Sequence, residues 1–460
     1  MRRLSPGLLA GVAVVCLLFP LVLEGCRSLG APPERVTLYL SGDTQGYLEP
    51  CGCRRDQAGG LPGRATVIRG SKSPAKFVLD AGNMTPGGRP YELLKLRYLL
   101  EGMAKIGYDA VNLGKKEAEL DLPTLRQALG EVQLPYLSAN VREKAGGKPL
   151  APAFRLVTRA GITLGITGVT ELDPFLAGPG VEVRPPLEAL AEVIPTLRRQ
   201  CDLLVVLAFV EEDTLREIAE RYHEVNCLLG GDVPQSSTAA EELNRAVSFN
   251  VMDRGKVLGE LELERTPAGY RAGRAQGIRI VGDRLPADPA MVALIRRYKD
   301  DLRERRYELA SAEGMERIPG QESSADEFVG DGKCAGCHRK PHTVTTASKH
   351  HHAYETLVRK QSEYDPECLS CHTVGYGLHS GFVDLQKTGQ LANVQCESCH
   401  GRGKRHVEQM QKAMGNPSLL AAARKESSLK PVTAASCIRC HDEENSENFQ
   451  FRSFWAQIRH

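Results

Sequence analysis

The sequence predicts two domains of different class, an α/β layered domain followed by a small domain rich in cysteine and histidine. Residues 35–283 alternate short apolar runs typical of strands with segments of helical periodicity. Eleven of the 12 histidines lie at or after His338, which is a sharp break in composition. With 460 residues the chain is long enough for two or three domains. We therefore assign 35–283 to the first domain, 284–326 to a connector and 327–460 to the second domain.

Individual elements of the first domain can be predicted from these patterns. Strands are expected at 36–41, 76–79, 162–169 and 203–209, and helices at 91–106 and 214–222. Residues 246–263 predict a hairpin that turns at 253–256. In the connector, apolar residues recur at helical spacing from Met291 to Leu309, so 285–314 predicts an amphipathic helix.

The second domain contains four copies of the pattern Cys-x-x-Cys-His. The copies are Cys334, Cys337 and His338; Cys368, Cys371 and His372; Cys396, Cys399 and His400; and Cys437, Cys440 and His441. This pattern is typical of c-type haem attachment, in which two thiols bond to the haem and the adjacent histidine binds its iron. A zinc site or a disulfide framework is the alternative, but neither requires a histidine after every second cysteine. The sequence therefore predicts four covalently bound haems.

The iron's second axial ligand decides whether a haem only carries electrons or also binds a substrate. Seven histidines outside the motifs are available for that position, and any one of them could instead be a surface residue. We expect His342, His351, His379 and His460 to be surface histidines. Only about 135 residues must wrap four haems, so the cofactors should form much of the core and lie close together.

The N-terminus reads as an export signal in residues 1–26. Arg2 and Arg3 precede an apolar stretch over 8–23 that is too short to span a membrane. Residues 23–26, ending at Cys26, resemble the lipobox of bacterial lipoproteins, whose cysteine is lipidated; ordinary signal cleavage and an uncleaved anchor are alternatives. Arg27 favours the outer membrane, because it is not the Asp of an inner-membrane retention signal. We expect an exported lipoprotein, periplasmic or at the cell surface.

Four cysteines remain after the motifs, the signal and Cys26 are set aside. Cys201 and Cys227 lie in apolar strand-like runs, which favours buried core thiols. Cys51 and Cys53 flank one glycine in a loop and could form a disulfide, a metal site or a structural turn. The net charge of +2 gives no argument for nucleic acid as a partner.

Five segments of the first domain carry a family resemblance. They are 40–53, 78–83, 110–117, 135–141 and 228–232. In this order they resemble the successive motifs of the calcineurin-like metallophosphatase family, in its 5′-nucleotidase branch. The resemblance implies a β-sandwich flanked by helices, with two metal ions that activate water against phosphate.

The metal-ligand positions of that family have changed in this sequence. Asp43 remains, but Gln45 replaces the usual His and Asn83 replaces the bridging Asp. Lys115 and Lys116 replace the Asn-His pair, and residues 208–209 and 232–234 lack the later histidines. Because two ammonium groups should repel divalent cations, we expect no dinuclear metal centre and an inactive scaffold or docking domain. A residual mononuclear site is the alternative, and it would use Asp43, Gln45, Asn83 and Asp232.

The second domain resembles the tetrahaem cytochrome c-554 family. The resemblance is carried by 328–338, 348–357, 368–377, 394–401 and 404–406. It implies a mostly helical, loop-rich multihaem fold in which His350, His352 and His406 are distal ligands and one haem has five ligands.

Together these observations predict a lipoprotein cytochrome that carries electrons between redox proteins or to a membrane electron-transfer complex. Two alternatives stay open. One is a haem enzyme that acts on a small nitrogen compound such as hydroxylamine or nitrite. The other is an active metallophosphatase or nucleotidase fused to a cytochrome.

Overall fold

The computed structural model describes residues 32–50, 57–233, 235–267, 269–282, 284–306, 326–442, 445–446 and 448–460. The first domain contains two mixed six-stranded sheets, ordered β14-β13-β1-β2-β3-β4 and β11-β12-β10-β9-β7-β6, and a two-stranded sheet β5-β8. The strands are β1 (Arg35–Ser41), β2 (Lys76–Asp80), β3 (Ala110–Asn112), β4 (Tyr136–Leu137), β5 (Val141–Glu143), β6 (Phe154–Arg159), β7 (Ile162–Thr170), β8 (Val181–Val183), β9 (Leu203–Phe209), β10 (Cys227–Gly231), β11 (Glu241–Leu243), β12 (Ala246–Asn250), β13 (Val257–Thr266) and β14 (Gly269–Arg279).

The helices of this part lie on the outer faces of the sheets. They are α1 (Leu61–Gly70), α2 (Pro90–Ile106), α3 (Lys115–Ala118), α4 (Leu122–Glu131), α5 (Pro186–Leu197), α6 (Glu212–Arg221) and α7 (Pro289–Glu304), with a 3₁₀ turn at Arg198–Gln200. Alternate side chains of β1 point to opposite sides: Leu38 packs between the two sheets, whereas Tyr39 packs under the helices. One hydrophobic cluster joins the first sheet to α1, α2 and α7, and another joins the second sheet to α5 and α6. The resulting order of layers, helix–sheet–sheet–helix, confirms the predicted sandwich.

The predicted strands and helices of the first domain are found, with one exception. The hairpin predicted over 246–263 is wrong, because β12 lies in the second sheet beside β10 and β13 lies in the first sheet beside β1. The turn does form, with Lys256 N donating to Asp253 O at 2.8 Å, but it carries the chain from one sheet to the other. The hairpin of this region is β13–β14, in which Thr266 pairs with Gly269.

The connector helix α7 covers Pro289–Glu304 and belongs to the first core, and residues 307–314 of the predicted helix lie outside the described residues. Over α7 the residues Met291, Leu294, Ile295, Tyr298 and Leu302 are buried in the cluster that also contains α1 and α2. Of the non-motif cysteines, Cys227 is fully buried and Cys201 partly so. The predicted export signal, Cys26, Cys51 and Cys53 lie outside the described residues.

The second domain is built from short helices and connecting loops. Its α- and 3₁₀-helices are Gly332–Ala335, Arg339–Thr346, Lys349–His352, Ala353–Lys360, Pro366–His372, Leu385–Thr388, Gly389–Leu391, Cys396–His400, Lys404–Ala413, Pro417–Glu426, Ala434–Ile438 and Phe451–Ile458. Its buried apolar cluster is small and centres on Tyr354, Leu357 and Phe382. A search of the described residues finds no helix with the length and apolar character needed to span a bilayer.

Glu117 ties two loops of the first domain together beneath the strand ends. Its buried carboxylate accepts hydrogen bonds from the backbone N–H groups of Asn83, Met84, Thr85 and Gly114 at 2.8–2.9 Å. Burial raises the pKa of Glu117 to about 7, although those amides favour the charged form. The carboxylate therefore holds the loop after β2 and the loop after β3 in one arrangement.

We expect Glu117→Gln to lower the free energy of unfolding of the full chain by about 1–3 kcal/mol, because the new amide NH₂ faces two backbone donors. Chemical denaturation followed by circular dichroism measures this change. Glu119→Gln is the matched control, since Glu119 is partly exposed and pairs only with Lys116 across one helical turn. Equal stability of the Glu117→Gln and Glu119→Gln proteins would contradict the role given to Glu117.

Candidate functional sites

The residual metallophosphatase positions lie in loops that follow parallel strands. Asp43 follows β1, Asn83 follows β2 and Asp232 follows β10. These residues have positive φ angles of 51°, 62° and 66°, a region that Asp and Asn tolerate better than most side chains. The backbone therefore still directs side chains to the ends of the strands, where open α/β folds place their sites.

One carboxylate oxygen of Asp43 is already engaged by two neighbouring side-chain amides. Gln45 Nε2 donates to Asp43 Oδ1 at 2.8 Å and Asn83 Nδ2 donates to the same atom at 3.2 Å. Burial raises the pKa of Asp43, and the two amide hydrogen bonds oppose that rise. The side-chain oxygen of Asn83 in turn accepts from the backbone N–H of Lys116 at 2.8 Å. The predicted residues Asp43, Gln45 and Asn83 are thus brought together and satisfy one another.

Asp232 has a different partner. Its carboxylate forms an ion pair with the Lys115 ammonium, while Lys116 pairs with Glu119 at 2.7 Å. The positive charge that a metal ion would bring to Asp232 is therefore supplied by the chain itself. Within the described ranges, no group of three or more His, Cys, Asp or Glu residues is arranged to hold a metal ion.

The four Cys-x-x-Cys-His motifs come together in the second domain. The thiols of Cys334 and Cys396 are in hydrogen-bond contact, and so are those of Cys371 and Cys440. The first motif therefore lies against the third and the second against the fourth. Burial raises the pKa of the Cys399 thiol, and Cys437 adds to that rise, so the third and fourth motifs lie near each other.

Three of the motif histidines face a second histidine. The ring centroids of His338 and His406 are 6.1 Å apart, those of His350 and His441 are 6.0 Å apart, and those of His400 and His460 are 6.1 Å apart. Two metal–nitrogen bonds of about 2 Å in line, with half a ring on each side, separate two axial imidazoles by about 6 Å. The ring pairs thus have the spacing that a haem iron between them requires.

The surroundings of these rings also suit metal ligation. Burial lowers the pKa of His350 and of His441, which keeps both imidazoles in the neutral form that binds a metal. The His441 ring stacks on Phe449 with centroids 4.9 Å apart, so its orientation is fixed by packing. His400 Nδ1 and His406 Nδ1 each lie 3.1 Å from a backbone carbonyl oxygen, which leaves Nε2 of both rings for the metal.

His372, in the second motif, is the exception. Its Nδ1 lies 2.7 Å from the carbonyl oxygen of Ala353 and 3.3 Å from Thr356 Oγ1. All 12 histidines are among the described residues, and none of them forms a ring pair with His372. One of the four motifs therefore has only its own histidine available.

Two histidines bear on the expected ligand set, which stays a prediction. His352, expected as a distal ligand, lies 3.1 Å from Glu355 and packs against His351 rather than against a motif histidine. His460, expected at the surface, is exposed, and the C-terminal helix Phe451–Ile458 also brings its ring to His400. Phe454 of that helix packs on His441, so this segment folds back onto the motifs.

Comparison with known proteins supports both halves of this description. Residues 333–401 match the family described as Cytochrome c554 and c-prime. Cytochrome c-554 of Nitrosomonas europaea is 32% identical over 101 residues, which is 18% of this chain and 43% of that protein. The 5′-nucleotidase of Vibrio cholerae is 31% identical over 129 residues, which is 27% of this chain and 23% of that protein.

The fold of the first domain has solved counterparts. The crystal structure of a 5′-nucleotidase precursor from Thermus thermophilus aligns with a TM-score of 0.52 at 21% identity and covers 59% of each chain. The chain spans less than half the length of the Nitrosomonas and Vibrio relatives. It thus joins a 5′-nucleotidase-like domain to a segment that matches the cytochrome c-554 family, and this match supports covalently bound c-type haem.

Replacing Lys115 by Met should release the Asp232 carboxylate from its ammonium partner. We expect the Lys115→Met protein, unlike the parent, to gain about 2 °C or more in its unfolding temperature with millimolar Mn²⁺, because the free carboxylate again attracts a divalent cation. Thermal unfolding followed by circular dichroism measures the gain. Lys116→Met is the matched control, and an equal gain in that variant or in the parent would mean that the cation binds elsewhere.

Proposed function

We propose that this chain, which joins a 5′-nucleotidase-like fold to a segment matching the cytochrome c-554 family, is an exported tetrahaem cytochrome that carries electrons between redox partners. The observation that carries the proposal is the set of three histidine ring pairs spaced at 6.0–6.1 Å around four Cys-x-x-Cys-His motifs. Covalent haem supplies the one-electron chemistry, and the chain sets where each haem lies and which ligands it receives.

Each motif would hold one haem through its two cysteines and its histidine. His406, His350 and His460 would supply the second ligands to the haems held at His338, His441 and His400. His352 is not a ligand in this proposal, because it faces Glu355. Paired histidines on three haems favour electron transfer over substrate binding at those irons.

The contacts between motifs suggest a path for the electrons. The second motif touches the fourth, the fourth lies beside the third, and the third touches the first. Haems attached to adjoining motifs lie within a short distance of one another, as electron hopping requires. Electrons would therefore pass along the order second, fourth, third, first, or the reverse.

The 5′-nucleotidase-like domain acts as a scaffold in this proposal. Asp43 is engaged by two amides and Asp232 by Lys115, so the carboxylates that a hydrolytic metal centre needs are already occupied. Lipidation at Cys26 would attach the protein to the outer membrane. The partners would be redox proteins or a membrane electron-transfer complex, with no role for nucleic acid.

A second candidate function concerns the haem of the second motif. Because His372 has no ring partner among the described histidines, the iron held there would keep one position open. An open position lets a haem bind a small molecule. This favours a haem enzyme acting on a small nitrogen compound as the alternative. Among the described residues, the contacts at the residual metallophosphatase site do not favour an active phosphatase.

The proposal is tested on full-length protein matured in a host that attaches c-type haem. We expect an intact mass with four haem increments, an electron paramagnetic resonance spectrum of three low-spin haems and one high-spin haem, and no Mn²⁺-dependent release of phosphate from nucleotides. A colourless protein, which would lack haem, would contradict the proposal. Catalytic turnover of nitrite or hydroxylamine with a reduced donor would replace electron carriage by the enzyme alternative.

The ligand assignments give a separate prediction. We expect His460→Ala to convert one low-spin haem to high spin, because the iron at His400 loses its second imidazole. The same spectra of His352→Ala serve as the control and should equal those of the parent, since His352 faces Glu355. A high-spin signal gained by His352→Ala but not by His460→Ala would reverse the assignment.

A further inference from the structure

The segment just before the second haem motif docks onto the 5′-nucleotidase-like domain. The Tyr364 ring is partly buried against the core of that domain, with the Arg303 guanidinium 5.6 Å from its centroid. Lys299, on the same helix α7, bridges the two parts by bonding Glu49 of the first domain and the carbonyl oxygen of Lys360 at 2.9 Å each. The two domains therefore share a specific interface at this point.

Lys95 of α2 is the charged centre of the interface. Its side chain is 10% exposed, and Nζ lies 2.5 Å from Glu367 Oε2 and 3.6 Å from Asp365 Oδ2. Burial alone would lower the pKa of Lys95, yet Asp365, Tyr298 and Glu367 together raise it well above its usual value. The ammonium is therefore charged, and both of its acidic partners belong to the cytochrome-like domain.

The same contacts lead directly to the second haem motif. Asp365 caps the helix Pro366–His372 by accepting from the backbone N–H of Glu367, and the next residue is Cys368, the first attachment thiol. Tyr298 closes the other side: it is buried, its ring meets Tyr98 edge-on at 5.6 Å, and within the described residues its hydroxyl has no hydrogen-bond partner. Burial raises the pKa of this hydroxyl, and the nearby Asp365 and Cys368 raise it further.

The loop that carries Asp43 and Gln45 lies against Lys95 as well. Gly46, with φ of 74°, approaches so closely that a Cβ there would sit 3.3 Å from Lys95 Cβ and 3.0 Å from Pro86 Cδ. A side chain at position 46 would therefore push on Lys95. The residual metallophosphatase site and the interface thus form one continuous packed region.

We propose that Lys95 is a positioning residue for the second haem, through which the 5′-nucleotidase-like domain holds the haem-bearing helix and raises the reduction potential of that haem. The inference rests on the proposed function, since it assumes haem at Cys368 and Cys371. An iron that gains an electron loses one positive charge, so a nearby buried ammonium favours the reduced state and a nearby carboxylate favours the oxidised state. Lys95 offsets two carboxylates beside the attachment site.

The test uses full-length, haem-loaded protein and the midpoint potential of the high-spin haem, followed by electron paramagnetic resonance during a redox titration. We expect Lys95→Met to lower this potential, because Asp365 and Glu367 lose their cation. Glu367→Gln should raise it, because the ammonium then has one carboxylate fewer. Lys105→Met is the matched control, since Lys105 is exposed on the same helix, and it should leave the potential unchanged.

The opposite signs distinguish an electrostatic role from loosened packing. Shifts of the same sign in Lys95→Met and Glu367→Gln, or no shift in either, would overturn the inference. If the Lys95→Met protein does not fold, the Glu367→Gln protein decides alone. A higher midpoint potential then supports the inference, and an unchanged or lower one overturns it. An intact mass that lacks haem at Cys368 and Cys371 would instead refute the proposed function, which keeps the two failures distinct.

Discussion

The second domain depends on contacts that its own side chains cannot provide. Its hydrophobic cluster is small, centred on Tyr354, Leu357 and Phe382, whereas the first domain has four larger or comparable clusters. Distant parts of residues 326–460 are joined by the histidine pairs and the cysteine contacts between motifs, and also by Glu397, which accepts from the backbone N–H groups of Val329 and Gly330. A small domain with so little apolar core needs a covalent or metal-based element to offset the loss of chain entropy. In the proposed function haem supplies that element, and we expect binding of the cofactor and folding of this domain to be coupled.

The first domain shows the opposite relation between fold and site. Its stability comes from side chains packed between and outside two sheets, while the former ligand positions lie in loops at the strand ends. Loop residues can change with little effect on such a core, so the fold by itself does not determine the chemistry at these positions. In this chain Lys115 neutralises Asp232, and Gln45 and Asn83 donate to Asp43. These internal partners satisfy polar groups at the strand ends, which is the basis for proposing a scaffold role for this domain.

Whether the sequence predicts a feature of this structure depends on how far apart in the chain the residues that determine it lie. Strand and helix positions follow from local periodicity, and the four haem motifs follow from covalent chemistry within five residues. The hairpin at 246–263 failed because sheet membership is a long-range property: β12 reads as a strand but pairs with β10. The choice of ring partner is a long-range property for the same reason, since His350 and His352 lie two residues apart and only the folded chain decides which one meets His441. His460 pairs across 60 residues, which no local pattern reveals.

The buried charge at the interface bears on why the two domains share one chain. Two domains joined only by a flexible linker would keep their charged groups in water, because burying an ammonium costs several kcal/mol unless partners offset it. Lys95 is buried although its partners, Asp365 and Glu367, belong to the other domain. Separating the domains would remove both acidic partners from Lys95 and the packing from the Tyr364 ring, so these contacts favour the docked arrangement. In the proposed function, the 5′-nucleotidase-like domain therefore acts as a fixed wall of the second haem site rather than as a separate tethered unit.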